Sequence, residues 1–175
     1  EPGFYSLHID RYNIDAELTT SERVGFHKYD FNEEGNSHLI IDLQYGTGWD
    51  MLTDGALEQV DEFSVKGQRF SRGWANDQRV FFYTTFSKEI EDFQILKENE
   101  KQGTVTALIE FEGNGELLAK TALSPVSTDG AKANMAAEIE HWNFTQVQNI
   151  AKEKWNNELS KIEVNTDETE DLRTF

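Results

Sequence analysis

The sequence predicts a mainly β fold: an antiparallel β-sandwich with one or two helices at its C-terminal end. Three observations predict it. Up to Pro125, short runs with a period of two recur about every 8 to 12 residues, separated by polar or glycine-containing turns, which is the pattern of a sandwich. Past Pro125 the apolar residues switch to helical spacing. Between them RFSRGWANDQRVFFYTTFS, Arg69 to Ser87, reads as a central hairpin. In its second run Val80, Phe82, Thr84 and Phe86 share one face and Phe81, Tyr83 and Thr85 the other, so both faces are largely apolar. Such a strand needs cover on both sides. The sandwich core supplies one; a helix of this chain or another domain must supply the other.

The 175 residues fit one domain, enough to bury roughly 70% of the unfolded surface. Twelve Phe, four Trp and five Tyr give that core a large aromatic content. A formal charge of −17 opposes nucleic acid and anionic membranes, because a field of that sign repels phosphate. A neutral glycan remains compatible. With no cysteine there can be no disulfide, thiol nucleophile or thiolate metal site. No apolar run approaches the roughly 20 residues that span a bilayer. The chain opens at Glu1 with no Met and no basic leader, as expected of a piece of a longer, processed polypeptide.

From Phe4 to Phe31 the pattern is a meander of three strands. Tyr5, Leu7 and Ile9 alternate with polar neighbours, Arg11-Tyr12-Asn13 turns, Ala16 and Leu18 alternate with acids, and Val24 and Phe26 oppose Arg23, His27 and Tyr29. After a polar loop, HLIIDL forms a fourth strand. In QYGTGWDMLTDGALE, Gly46, Gly48 and Gly55 break any period and place Trp49 on a loop. Glu58 to Lys66 leads into the central hairpin. EIEDFQIL follows, Glu98 to Gly103 is a charged turn, and TVTALIEF and ELLAKTALS form a second hairpin across Gly113 and Gly115.

Ser127, Thr128 and Asp129 offer caps for an Ala-rich helix ending near Glu140. A second helix starts at the N-cap Asn143, with Gln146 three residues on in a capping-box arrangement, and ends near Ser160. Its stripe of Phe144, Val147, Ile150, Ala151, Trp155 and Leu159 suits it to cover the second face of the central strand. Ile162 to Val164 offers a last short strand. The expected organisation is one sandwich domain over residues 1–165, with the covering helix at about 143–160, and the start of a truncated linker helix over 166–175. Thr166 or Asp167 caps that start, and Leu172 and Phe175 stand three apart.

The four histidines, at 8, 27, 38 and 141, have no metal-ligand spacing, and no phosphate loop, nucleophile elbow or EF-hand loop is present. Acid pairs such as Glu33-Glu34, Glu89/Glu91-Asp92 and Glu98/Glu100 lie in polar turns and read as solvated. His27, beside Arg23 and Tyr29 on a strand face, is either a ligand contact or a hydrogen-bonded strand histidine. The GWANDQ turn offers a stacking ring in Trp74 and amide and carboxylate groups in Asn76, Asp77 and Gln78, the set that sugar hydroxyls require. Its structural alternative is a turn closed by its own Asx bonds. Trp49 is a second possible sugar platform. The candidate substrate contacts are therefore Trp49, Trp74, Asp77, Gln78 and His27, with no catalytic and no metal-binding residue.

The ordered set RVGFHKY, GWANDQ, SPVSTDGAKANMAAEI and WNNELSKIEV, spread over nearly the whole chain, resembles the N-terminal domain of the bacterial alpha-1,2-mannosidases of glycoside hydrolase family 92. The resemblance implies a sandwich of the galactose-mutarotase-like supersandwich kind, a linker helix and an (α/α)6 catalytic barrel that is absent from this chain. It implies an exported, periplasmic or cell-surface parent enzyme that removes terminal mannose with inversion and uses calcium. Catalytic and calcium-binding residues then lie outside this chain. The partners implied are a mannose-containing glycan and the barrel of the same polypeptide, without nucleic acid or membrane insertion. The alternatives are a stand-alone carbohydrate-binding module and a domain that pairs with its own copy through an apolar face.

Overall fold

A computed structural model describes residues 1–46, 48–99 and 103–170. The ten strands are β1 (Phe4–Ile9), β2 (Ile14–Thr20), β3 (Val24–Phe31), β4 (Ser37–Asp42), β5 (Met51–Asp61), β6 (Ser64–Arg72), β7 (Gln78–Phe86), β8 (Asp92–Asn99), β9 (Gly103–Phe111) and β10 (Gly115–Ser124). Helices α1 (Thr128–Glu138) and α2 (Phe144–Leu159) follow. The strands run in the order β1-β2-β3-β10-β7-β6-β5-β9-β4, with β8 also paired to β9. All pairings are antiparallel except one parallel bridge, Gly55 to Gly103, where the sheet passes from β5 to β9.

The short layer β4-β9-β8 packs over β3, β10, β7 and β6. The core between them holds Phe31, Val65, Phe86, Ile109, Phe111 and Leu117, with Phe86 and Phe111 edge to face at 5.0 Å. The other face of the main sheet carries the helices, over Val24, Phe26, Tyr83, Leu118 and Ala122. Strand β7 thus contributes Phe82, Thr84 and Phe86 to one side and Tyr83 to the other. The two-faced strand read from the sequence lies near the middle of a three-layer domain.

Which helix covers it differs from the sequence expectation. α1 lies on β10 and β7, whereas α2 lies on β2, β3 and β1. The stripe on α2 identifies residues that need cover, and the length of the connection after β10 decides which helix reaches the centre first. Both caps form as expected: the Ser127 hydroxyl accepts from the Gly130 N–H at 2.9 Å, and the Asn143 side chain from the Gln146 N–H at 3.0 Å. The Asn143 N–H, however, donates to His141 Nδ1 at 3.2 Å. Lys120 is 4% exposed beneath the helix connection, donates to the Ile139 carbonyl at 3.1 Å and sits 4.2 Å from the centre of the Trp142 ring. Burial lowers its pKa.

Residues 44–66 also differ from expectation. β5 already begins at Met51 and runs through Gly55, where the sequence predicts a broken period, and the chain reverses at Glu62-Phe63, so Glu58 to Lys66 holds the end of β5, a turn and the start of β6. The glycines serve close packing here. A Cβ on Gly67 would collide with the Ala56 carbonyl and lie 2.5 Å from Phe82 Cζ, and one on Gly103 would collide with the Gly55 carbonyl. Ile162 to Val164 forms no strand, because no sheet edge reaches it, and both side chains are exposed. The Thr166 hydroxyl accepts from the Glu168 N–H at 3.1 Å, and Thr169 and Glu170 are helical. Leu172, Phe175 and Glu100 lie outside the described residues. Among the described residues no helix is long and apolar enough to cross a membrane.

Candidate functional site

The β6–β7 turn and the loop between β4 and β5 meet at one end of the sandwich, and glycine lets them meet. A Cβ on Gly73 would stand 3.1 Å from Asp50 Cα and 3.3 Å from Trp49 Cδ1. With that approach the Trp49 and Trp74 rings stack, 11° from parallel with centroids 6.5 Å apart. They are 68% and 91% exposed. Single exposed apolar residues are ordinary on a surface, but two stacked indoles form a platform of the kind that takes the C–H face of a sugar ring.

Beneath the platform lies a cavity of ≈ 570 Å³ lined by Tyr45, Gly46, Gly48, Trp49, Asp50, Arg69, Trp74 and Gln78. Arg69, projecting from β6, fixes the β4–β5 loop at two points. Its Nε donates to the Leu43 carbonyl at 2.9 Å and its Nη1 to Asp50 Oδ2 at 2.5 Å. Burial pushes the Asp50 carboxyl up, but hydrogen bonding from Arg69, with the Ser71 hydroxyl and the Arg69 charge, holds it below the usual carboxylate range. It therefore stays ionised at neutral pH and has no proton to give. Asp50 Oδ1 and Arg69 Nη2 are buried without a well-formed hydrogen bond. Each such atom costs about 1–3 kcal/mol. The ion pair lines the cavity and ties β6 to the loop that carries Trp49.

The structure brings together Trp49, Trp74 and Gln78 of the five sequence candidates and separates the other two. Asp77 belongs to the same turn, but its carboxylate is taken by the Arg79 guanidinium at 3.0 Å on the open surface. His27 lines a different cleft, ≈ 390 Å³ in volume, that opens between the two sheet layers beside Tyr29, Thr84 and Thr121. Its Nδ1 lies 2.8 Å from the Tyr29 hydroxyl, and burial lowers its pKa. Tyr45, Asp50 and Arg69 were not among the sequence candidates. Their only signal was a charged pair flanking Gly46, Gly48 and Gly73, which acquires meaning once the two loops are known to touch. Among the described residues no group of three or more His, Asp or Glu side chains is arranged to hold a metal.

The molecule is a β-sandwich domain with two stacked tryptophans at one end and two helices on its back. The chain belongs to glycosyl hydrolase family 92. Residues 1–124 match the family's N-terminal domain and residues 130–175 match its catalytic domain. The division falls between β10 and α1, so by sequence both helices lie with the catalytic domain. No curated protein matches the chain. Among solved structures, the chain is similar to the family GH92 alpha-mannosidase BT3965 from Bacteroides thetaiotaomicron at 25% identity and a TM-score of 0.83, covering 95% of this chain and 24% of that one. The same enzyme in complex with mannoimidazole matches equally. The inverting mannosidase BT2199 from Bacteroides thetaiotaomicron VPI-5482 shares the fold at 19% identity and a TM-score of 0.77, covering 93% of this chain and 23% of that one. The chain spans about a quarter of the length of the structures it matches.

Proposed function

We propose that this chain is the non-catalytic N-terminal sandwich portion of an exported alpha-1,2-mannosidase, an inverting, calcium-dependent exo-glycoside hydrolase, and that it packs against an (α/α)6 catalytic barrel. The observation that carries the reading is the match of residues 1–124 to the family's N-terminal domain, supported by the superposition on a GH92 alpha-mannosidase. Inversion requires a carboxylic acid to protonate the leaving oxygen and a carboxylate to activate water on the opposite face. Among the described residues Asp50 is the one carboxylate lining the platform cavity and Arg69 holds it ionised, so it cannot serve as the acid and has no second carboxylate there to work with; the acid and base are assigned to the barrel. Calcium is assigned there as well, and the parent enzyme acts in the periplasm or at the cell surface on mannose-containing glycans. The test compares the 175-residue chain with the product of its full open reading frame on alpha-1,2-mannobiose with calcium. The longer protein hydrolyses it and the chain alone does not; turnover by the isolated chain would sink the reading.

One observation favours a second role, glycan binding by the sandwich itself: Trp49 and Trp74 are stacked and exposed over a polar-floored cavity. Calorimetry with mannose or mannan decides it. Heat of binding that Trp74→Ala abolishes supports a carbohydrate-binding role, and its absence leaves the platform to the barrel interface.

A further inference from the structure

Helix α2 is apolar along one stripe for its whole length, but its cover thins toward the C-terminal end, where Trp155 still packs beside Gly3. Phe144, Val147 and Ala151 are buried against the main sheet. Trp155 and Leu159 continue the same stripe at intervals of four, the helical spacing for one face, yet they are 48% and 53% exposed, and Ile150 beside them is 46% exposed. A 16-residue helix is roughly 24 Å long, and α2 rests on β1, β2 and β3 at the sheet's end, with Leu159 past the Trp155–Gly3 contact. A groove of ≈ 460 Å³ runs beside it against the β2–β3 turn, with Ile139, Val147, Ile150, Ala151 and Trp155 in its apolar lining and Glu138 and Lys154 also contributing. A ridge and groove of this kind on a surface mark a place where another element packs. The occupant follows from the family match. Residues 130–175 match the catalytic domain, so α2 is part of that domain by sequence while its stripe stays partly exposed at Ile150, Trp155 and Leu159.

We propose that the partly exposed patch of α2 made by Ile150, Trp155 and Leu159 is the seat of an amphipathic helix from the catalytic domain of the same polypeptide, whose apolar side chains fill the groove that Ile150 and Trp155 line. This rests on the reading above that such a domain accompanies the chain. The docking makes α2 a rigid splint: one end is fixed to the sandwich and the other to the barrel.

The experiment introduces Ile150→Glu with Leu159→Glu into both the 175-residue chain and the product of the full open reading frame, and follows unfolding by calorimetry. In the 175-residue chain the melting temperature stays within about 2 °C, as for exposed sites. In the full-length protein one cooperative transition separates into two and thermal inactivation moves to lower temperature. The pair Asn156→Glu with Asn157→Glu, which adds the same charge elsewhere on α2, is silent in both. An unchanged full-length transition overturns the proposal. So does an equal loss in both proteins, which would make the ridge part of the chain's own core. A 175-residue chain that dimerises until the double variant makes it monomeric would identify a second copy as the occupant and also overturns it. The underlying reading fails separately, if the full-length protein hydrolyses no mannoside while the calorimetric response persists.

Discussion

Helices α1 and α2 are neighbours in sequence, each is capped by a side chain accepting from the third helical N–H, and both lie on the same face of the main sheet. Their fates are opposite to their patterns. α1 has the weaker apolar stripe, yet Ala131, Met135 and the following Ile139 are closed in over β10 and β7. α2 has the stronger stripe, and Trp155 and Leu159 remain half exposed. The difference lies beneath the helices: α1 sits over the middle of the sheet and α2 over its end. A stripe states which residues need covering, and the position of the sheet decides which of them receive cover.

The comparison can be broken most directly where the helices are alike. Phe144→Ala removes the ring that meets Phe26 at 5.3 Å, and Met135→Ala empties the matching place under α1. Each should cost about 2–5 kcal/mol by urea unfolding. A cost for Phe144→Ala below that of an ordinary surface change would mean that α2 is not anchored at all. Next in size is Glu138, at the end of α1, which accepts from the Ser21 hydroxyl at 2.6 Å and from the Arg23 N–H at 2.9 Å. Burial pushes its carboxyl up, and these bonds with the Arg23 charge hold it below its ordinary value of 4.5. A carboxyl with a depressed folded pKa contributes stability that is present above the unfolded pKa and is lost as pH falls through the folded one. Glu138→Gln should therefore cost roughly 1.5 kcal/mol at neutral pH, and the gap to the parent chain should close on acidification below pH 4.5. The carboxylate ties of α2, Lys152 to Glu1 and Lys154 to Glu22, lie on the open surface, where such pairs contribute little, so substitutions along it should show a smaller slope.

The caps come third. Ser127→Ala and Asn143→Ala should each lose about 1 kcal/mol. Asn143→Ala should lose more helicity by circular dichroism, because α2 has less packing to compensate. Smallest of all, Leu159→Ala should change the stability of the 175-residue chain by no more than about 0.5 kcal/mol, and a cost near that of Phe144→Ala would show that its stripe is covered after all.

Most of the β elements were legible because alternation is a local signal. Val24 and Phe26, Leu39 and Ile41, and Phe82 and Phe86 announce their strands by spacing alone. The caps at Ser127 and Asn143 were legible for the same reason, since a cap bonds within three residues. Gly55 misled, because a glycine that admits a neighbouring backbone looks in sequence like one that breaks a strand. Of the platform, the two tryptophans and Gln78 could be read, while Arg69 and Asp50 could not: a side chain that props a loop from another strand leaves no periodic trace.

By itself the sequence determined most of the strands and their spacing, the two capped helices, the two-faced apolar strand at Val80 to Phe86 and the family motifs, all consequences of near neighbours along the chain. Only the tertiary structure decided that α1 and not α2 covers that strand, that Trp49 meets Trp74 over an Arg69–Asp50 floor, and that Trp155 and Leu159 on α2 stay half exposed. Each of these depends on which distant backbone segments approach, and that is settled by glycine gaps and sheet order acting over the whole fold.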